Sequence, residues 1–236
     1  MYRRTLAQLN GKLQWAVNKL LKRHLADRPV FHDIDQVFPA LRKIDEKFEQ
    51  IREELLAVLP EKHRIPRYHE VDETQSFLAD GGDWRMLYVH MYGSGDRVPT
   101  RRLCPRTAAI VDQVPDVCGA YFSILDAGKS IAAHSAPYLG YLRYHLGLIV
   151  PETNPPTIRI RDQYHTWREG ESVLFDDTLE HEVFNEAESI RVVLIVDVMR
   201  PLPWWLDRLN RLVARVSAAR VFREAAWEAM ELRDSP

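Results

Sequence analysis

Short segments with alternating polar and apolar residues occupy most of residues 84–201, and they restrict the fold more than any other feature. The period-two pattern predicts strands at residues 84–92, 120–125, 141–149, 157–160, 171–175, 181–185 and 190–198. The separators carry turn residues, among them Gly128, Pro151, Asn154, Pro155 and Gly170. Because no helical pattern intervenes between these strands, we predict a mainly β fold, either an antiparallel barrel or a jelly roll.

Two of the predicted strands turn charged side chains toward one face. At residues 141–149 the period of two places Arg143 and His145 on one face and leucines with a tyrosine on the other. In the last strand, Arg191 and Asp197 share one parity within an otherwise apolar run. Since a polar group in a buried strand needs a partner, we predict that these faces line a cavity.

Size and charge exclude several classes of protein. The chain has 236 residues and a formal net charge of -2, which suits one domain with additions and no nucleic-acid partner. Residues 127–130 lack the earlier glycine of a phosphate loop, so no nucleotide site is predicted. The sequence has two cysteines, Cys104 and Cys118, and it shows neither a signal-peptide pattern nor a run of 18 apolar residues. We therefore expect a cytoplasmic protein with reduced thiols.

Both ends of the chain have apolar residues at helical spacing with basic residues between them. We predict helices at residues 5–26, at residues 39–59 and after Pro201, where Trp204 and Trp205 precede an arginine-rich stretch. Two interpretations of the terminal helices stay open. They pack against the body or a second copy, or they make peripheral contact with an anionic inner-membrane surface.

The histidines suggest a metal site but do not establish one. Iron that activates dioxygen is commonly held by two histidines and a carboxylate, written His-x-Asp/Glu with a distant histidine. No histidine of this chain is followed two positions later by an acid, and after His134 that position is Ala136. From the residues alone, a metal would therefore have two protein ligands or a carboxylate from elsewhere, and structural histidines remain the alternative.

A resemblance to a known family adds to this interpretation. Residues 84–201 resemble the aspartyl/asparaginyl β-hydroxylase family in residue types and also in spacing. Eleven positions separate His134 from His145, and ten separate His181 from Arg191. Further matching residues are Trp84, Pro137, Leu142, Arg143, Pro151, Trp167, Gly170, Phe175, Asp176, Asp177, Glu180 and Asp197.

The resemblance implies a double-stranded β-helix, cupin-like, with flanking N- and C-terminal α-helices. It implies an enzyme that uses iron(II), 2-oxoglutarate and dioxygen, with His134 and His181 as the metal ligands and no carboxylate ligand. Arg191 would bind the distal carboxylate of 2-oxoglutarate, the alternative being a salt bridge with Asp197 or Asp177. The other expected co-substrate contacts are Ser123, Arg143, His145 and Trp84.

The resemblance leaves the substrate open between two classes. Ala136 and the run Phe175-Asp176-Asp177 favour hydroxylation at the β-carbon of an aspartyl or asparaginyl side chain, in a peptide or small molecule. Residues 142–145 and the basic C-terminal helix favour the alternative, a lipid A-type acyl chain at a membrane surface. Tyr141 stands where a second substrate-binding arginine is expected in the peptide-acting enzymes.

We also predict how the chain is divided. A basic amphipathic helix occupies residues 1–30, and residues 31–201 form the catalytic domain, with a barrel core at about 84–201. A second amphipathic helix occupies residues 202–236. Within the domain, Asp176 and Asp177 are expected either to orient the ring of His181 or to cap a loop.

Overall fold

The computed structural model describes residues 2–71, 83–93 and 98–217, and it contains two antiparallel sheets with flanking helices. The strands are β1 (Phe31–His32), β2 (Trp84–Met91), β3 (Val117–Leu125), β4 (Ile131–His134), β5 (Tyr141–Ile149), β6 (Thr157–Ile160), β7 (Gln163–Thr166), β8 (Ser172–Phe175), β9 (His181–Phe184) and β10 (Arg191–Met199). The helices are α1 (Tyr2–His24), α2 (Ile34–Val37), α3 (Arg42–Asp45), α4 (Phe48–Val58), α5 (Tyr68–Val71), α6 (Pro105–Val111) and α7 (Trp204–Ser217). Short 3₁₀ helices lie at Pro39–Leu41, Leu59–Arg64 and Pro99–Leu103.

The strands form a jelly roll. The larger sheet has six strands in the order β1-β8-β5-β10-β3-β2, and the smaller has four in the order β4-β9-β6-β7. Apolar side chains of both sheets share one core cluster, so the two sheets face each other; its members include Trp84, Tyr121, Phe175, Ile195, Ile131, Ile158 and Val183. The predicted mainly β, double-stranded β-helix fold with flanking helices is confirmed.

In the larger sheet, alternate residues of each strand point to opposite faces, as the period of two in the sequence predicts. On β5 and β10 the residues of one parity pack under α4 and α6 in a second cluster, which includes Leu142, Tyr144, Leu146, Leu148, Val192, Leu194, Val196 and Val198. The residues of the other parity face the smaller sheet. This inner face carries Arg143 and His145 on β5 and Arg191 and Asp197 on β10, so these polar groups lie between the sheets.

Three strands were missing from the sequence prediction, and the first of them, β1, is only two residues long. β4 contains exposed Ala132 and Ala133 next to buried Ile131, and alanine has a low strand propensity. β7 is the edge strand of the smaller sheet and is largely exposed. Its sequence therefore lacks the apolar alternation from which a strand is predicted. The strands predicted at 141–149 and 157–160 have the predicted bounds.

The single helix predicted at residues 39–59 is wrong, because the chain leaves helical geometry at Lys47. Tertiary hydrogen bonds hold the preceding segment, α3, onto the larger sheet. Asp45 accepts from the hydroxyl of Tyr144 at 2.5 Å and from Ser172 at 3.1 Å, and it also pairs with Arg42 at 2.8 Å. The next helix, α4, begins at Phe48. The tertiary contacts of Asp45 therefore override the helical spacing of apolar residues in the sequence.

The terminal helices α1 and α7 pack against each other and against the loop before β5. Their shared cluster includes Val17, Leu21, Tyr138, Leu139, Leu206 and Val213. Buried Asn210 of α7 donates to the carbonyl of Gly140 at 2.8 Å and accepts from the Tyr138 hydroxyl at 2.8 Å. A Cβ at Gly140 would lie 2.0 Å from the Asn210 side chain, so this close approach requires glycine.

Helix α7 lies beside the inner face of the larger sheet, where its Ala214 lines the same space as Arg143 and Asp197. Within the parts of the chain that the structure describes, no helix combines the length and the apolar character needed to span a bilayer. The C-terminal part of the predicted 202–236 segment, including Arg220 and Arg223, lies outside the described residues.

Candidate metal and co-substrate site

Two histidines from neighbouring strands meet at the inner face of the smaller sheet. His134 ends β4 and His181 begins β9, and the two are directly opposite each other in the antiparallel pair. Their ring centroids are 4.1 Å apart. Nδ1 of His134 lies 2.8 Å from the carbonyl oxygen of Ala132, and Nδ1 of His181 lies 2.9 Å from that of Leu179. Since a carbonyl only accepts, each Nδ1 carries the hydrogen and each Nε2 keeps a free lone pair.

Both imidazoles are held in the neutral form. Burial lowers the pKa of His134, and Arg143 lowers it further, against the hydrogen bond to the main chain. Burial and the neighbouring His134 lower the pKa of His181 to about 3. Neutral imidazoles with a fixed tautomer and adjacent free Nε2 atoms are suitable ligands for a divalent transition metal. The donor set therefore fits a metal held by two histidines.

Within the described part of the chain, carboxylates do not complete or orient this pair of histidines. Among the described residues, no group of three or more histidine, cysteine, aspartate or glutamate side chains is arranged to hold a metal. Asp176 accepts from Thr178 and pairs with Arg28 and Arg200, so it caps its own loop. Asp177 pairs with Arg143 at 3.0 Å. The ring orientation of both histidines comes from main-chain carbonyls instead.

Asp176 gives a stability prediction, because it is fully buried between two arginines. Burial raises its pKa, but Arg200, Thr178 and Arg28 outweigh burial and hold the pKa below its usual value. We expect Asp176→Ala to lower the free energy of unfolding by about 3–5 kcal/mol at pH 7, since both arginines lose their partner.

The pH dependence of this effect has a definite sign. A carboxylate whose pKa is lower in the folded state adds stability above its unfolded pKa, and that stability is lost as the pH falls through the folded value. Urea denaturation of both proteins at pH 7 and at about pH 3 measures it. The gap between wild type and Asp176→Ala should shrink at the acidic pH, and a gap that grows there contradicts the assignment.

Arg191 is a buried cation, and no described residue serves as its counter-ion. Its side chain is 1% exposed, and among the described residues no carboxylate pairs with it. The guanidinium stacks over the ring of Trp167 at 4.4 Å, Nη1 lies 3.5 Å from the Ser123 hydroxyl, and Nε has no partner in the described part of the chain. Burial lowers the pKa of Arg191 to about 9. The alternative salt bridge with Asp197 or Asp177 is wrong, because both acids pair with Arg143.

Ser123 is set up to donate a hydrogen bond beside Arg191. The indole Nε1 of Trp84 donates to the Ser123 oxygen at 2.9 Å, and Arg191 approaches the same oxygen. With its acceptor capacity used by these two donors, the hydroxyl hydrogen remains available. Trp84 is itself held by stacking on Tyr68, with ring centroids 3.9 Å apart. Ser123 and Arg191 thus place donors side by side in the cavity, as an anion site requires.

His145 and Arg143 lie on the same strand but differ in their partners. Neither ring nitrogen of buried His145 has a partner among the described residues, and burial lowers its pKa well below the usual value. Arg143 is already paired. Its Nε and Nη2 donate to the two oxygens of Asp197 at 2.8 and 2.9 Å, and Nη1 contacts Asp177. The geometry therefore leaves His145 free to bind a ligand, whereas the charge of Arg143 is balanced internally.

All seven residues singled out in the sequence line one cavity of about 370 Å³, namely His134, His181, Arg191, Arg143, His145, Ser123 and Trp84. Sequence reasoning gave no role to Trp167, which supports Arg191, or to Tyr68, which supports Trp84. Tyr121 also lines the cavity and was not predicted to do so. It lies two residues before Ser123 on β3, and this spacing places both side chains on the same face of the strand.

A family model described as aspartyl/asparaginyl beta-hydroxylase matches residues 45–201. The chain belongs to the aspartyl/asparaginyl β-hydroxylase family. The resemblance seen in the sequence is thereby confirmed. The matched region contains every candidate site residue of this family member, but it excludes α1 and α7.

The names of two similar proteins describe different substrates. The chain is 35% identical over 189 residues to the ornithine lipid ester-linked acyl 2-hydroxylase of Rhizobium tropici, covering 80% of this chain and 66% of that protein. It is 30% identical over 166 residues to human aspartyl/asparaginyl beta-hydroxylase, covering 68% of this chain and 21% of that protein. The chain thus spans just under two thirds of the first relative and about a fifth of the second.

Among solved structures, a prolyl-4-hydroxylase of Pseudomonas putida matches with a TM-score of 0.41 and 13% identity, covering 66% of this chain and 88% of that one.

Proposed function

We propose that this protein is an iron(II)- and 2-oxoglutarate-dependent hydroxylase. The observation that carries the proposal is the buried charge of Arg191, which no described residue compensates, in the same cavity as two neutral histidines with free Nε2 atoms. A guanidinium buried without a counter-ion is costly, so the fold retains it for a ligand that supplies the negative charge. A dicarboxylate that reaches from Arg191 to a metal would meet both requirements.

In this proposal, His134 and His181 hold iron(II). Together with 2-oxoglutarate and dioxygen, the bound metal supplies the oxidising chemistry that hydroxylates an unactivated C–H bond. The protein's own residues position and enclose the reactants. The main-chain carbonyls fix both rings, and the apolar side chains around them exclude water.

The roles proposed for the co-substrate site follow from the available donors. Arg191 would bind the distal carboxylate of 2-oxoglutarate in a bidentate manner, and the Ser123 hydroxyl would donate to the same group. Trp84 and Trp167 hold these two residues in place. His145, with both ring nitrogens free of described partners, would contact the end of the co-substrate near the metal. Arg143 contributes mainly by orienting Asp177 and Asp197.

The substrate belongs to one of two classes. The family name supports hydroxylation at the β-carbon of an aspartyl or asparaginyl side chain, in a peptide or a small molecule. The Rhizobium relative's name and the apolar part of the cavity support the alternative, an acyl chain at a membrane surface. We also propose that residues 31–201 act as the catalytic unit and that the segments at 1–30 and 202–236 flank it.

Succinate release on incubation with iron(II), 2-oxoglutarate and dioxygen tests the proposed reaction. A separate binding test uses manganese(II) in place of iron, so that the co-substrate binds without turnover. We expect manganese and 2-oxoglutarate together to raise the melting temperature more than either alone, because each completes the other's site. Absence of both the stabilisation and the succinate would contradict the proposed function.

A further inference from the structure

A separate cavity of about 600 Å³ lies where α1 ends and the chain enters β1. Its walls come from the end of α1 and the following loop, from β1, from α2 and from the segment after β10. No described residue lines both this space and the cavity around Arg191. We call it the basic cavity; the charged and titratable side chains that line it are Arg23, His24, Asp27, Arg28, His32 and Arg200.

Positive charge predominates among the described side chains of the basic cavity. Its lining contains three arginines and a single acid, Asp27. Arg23 and Asp27 are exposed to solvent, so water and salt screen their charges. Arg28 and Arg200 form the inner pair, with side chains that are 14% and 3% exposed. A ligand inside the cavity therefore meets mainly the charge of these two inner arginines.

The two inner arginines share one buried carboxylate. Nε of Arg28 lies 2.6 Å and Nη2 of Arg200 lies 2.8 Å from the same oxygen, Oδ2 of Asp176, so two cations and one anion leave a formal charge of +1. Asp177 also attracts Arg200, but it pairs with Arg143 of the other cavity at 3.0 Å. Burial lowers the pKa of Arg200 and nearby Arg28 lowers it further, although Asp176 opposes both. A second negative charge beside the two arginines would relieve this repulsion.

Both inner arginines keep hydrogen-bond donors that the described residues do not use. Arg200 donates through Nε and Nη2 to two main-chain carbonyls, whereas its Nη1 has no partner in the described part of the chain. Arg28 makes one contact through each of its three nitrogens, so each terminal nitrogen retains one hydrogen. Spare N–H groups on two planar guanidiniums match the several acceptor oxygens of a phosphate group.

His32 adds an imidazole to the wall of the basic cavity. It lies on β1, directly opposite Leu174 of β8. Its Nε2 is buried and has no hydrogen-bond partner among the described residues, and a buried polar atom in this state requires an explanation such as a ligand or a water molecule. Burial and Arg200 lower the pKa of His32, so the ring is neutral and can donate one hydrogen bond. The imidazole can therefore add a neutral donor to the charged donors of the inner arginines.

We propose that the basic cavity binds a phosphate group, either as free phosphate or as the phosphate of a small organic ester. Phosphate supplies the second negative charge that Arg28 and Arg200 lack, and its oxygens accept hydrogen bonds from both guanidiniums. A cavity of about 600 Å³ also has room for an organic group beside the phosphate. Since the cavity is separate from that of Arg191, this site does not depend on the proposed hydroxylase function.

Calorimetric titration of the full-length protein with inorganic phosphate tests the site. The buffer contains about 0.15 M sodium chloride, where a Debye length of about 8 Å limits the effect of distant charges. We expect Arg28→Gln to lower the affinity for phosphate at least about tenfold, because a charge-assisted contact is lost while Arg200 still pairs with Asp176. His32→Phe keeps an aromatic ring and should lower the affinity by about threefold or more, since one hydrogen bond is lost.

A second titration, with glycerol 3-phosphate, distinguishes the two sources of the phosphate group. Tighter binding than that of inorganic phosphate indicates that the cavity accommodates an organic ester, and equal or weaker binding indicates free phosphate. Thermal unfolding shows whether Arg28→Gln is folded. His32→Phe leaves both ion pairs of Asp176 intact, so it supplies the test if Arg28→Gln does not fold.

Lys22→Gln is the matched control, because Lys22 is exposed and adjacent to Arg23 on α1 but does not line the cavity. It should bind phosphate as the wild type does. Arg191→Met should also keep wild-type affinity, which would separate this site from the one at Arg191. The proposal is overturned if the wild type binds neither phosphate nor glycerol 3-phosphate, or if Arg28→Gln and His32→Phe both keep wild-type affinity. A loss in Arg191→Met or Lys22→Gln as large as that in Arg28→Gln overturns it as well.

Discussion

Replacing His181 with alanine is expected to abolish iron-dependent 2-oxoglutarate turnover while the fold remains intact. His181 and His134 supply the two Nε2 atoms that face each other across the β4–β9 pair, and a metal with a single protein ligand would bind weakly. We expect succinate release to fall by at least about a thousandfold, to the background of free iron. His134→Ala should behave in the same way. Succinate formation and the melting temperature are the measurements.

His90→Ala is the matched control for these variants. His90 is also partly buried on a strand of the larger sheet, but it pairs with Asp112 and does not line the cavity. Its removal should leave turnover close to that of wild type. Substantial activity in His181→Ala or His134→Ala, at a normal metal content, would refute the assignment of the ligands.

Arg191→Met is expected to have opposite effects on binding and stability. Methionine keeps most of the side-chain volume but removes the charge. We expect 2-oxoglutarate affinity to fall by at least about a hundredfold, because a buried charge-assisted, bidentate contact is lost. Without ligand, the free energy of unfolding should rise by roughly 1–3 kcal/mol, since a buried cation that no described carboxylate pairs with is replaced by an apolar group. Calorimetry and denaturant unfolding measure the two effects.

Arg200→Met provides the contrasting control. Arg200 is also buried, at 3% exposure, but it pairs with Asp176 at 2.8 Å. Its loss leaves a buried carboxylate with fewer partners, so we expect destabilisation by about 3–5 kcal/mol. An Arg191→Met protein that is destabilised to a similar extent would show that Arg191 has a structural role, against the proposal of a ligand site.

The fold and part of the site were predictable because the alternation of polar and apolar residues indicates both the strands and the side chains that face the cavity. Alternation along β5 and β10 places the apolar residues in the core, and a charged residue on the other face must then lie in the space between the sheets. Arg191 was conspicuous because it interrupts an apolar strand. The family resemblance added roles to these positions, and the cavity brings all of them together.

Other features depend on long-range pairing, which the spacing of residues along one strand does not reveal. Asp197 lies directly opposite Arg143 in the register of β5 with β10, and this pairing balances a cation expected to face the co-substrate. The strand that carries His134 was missed because its exposed alanines resemble a loop. The packing of α1 on α7 was equally hidden, since an amphipathic helix looks alike whether it contacts a protein core or a lipid surface.

A crystal structure of the protein with manganese(II) and 2-oxoglutarate, grown without iron, tests the central claim most directly. The account predicts a metal bound by Nε2 of His134 and Nε2 of His181, and a carboxylate of 2-oxoglutarate paired with both terminal nitrogens of Arg191. A metal bound elsewhere, or an Arg191 guanidinium with no carboxylate against it in the loaded protein, would contradict it.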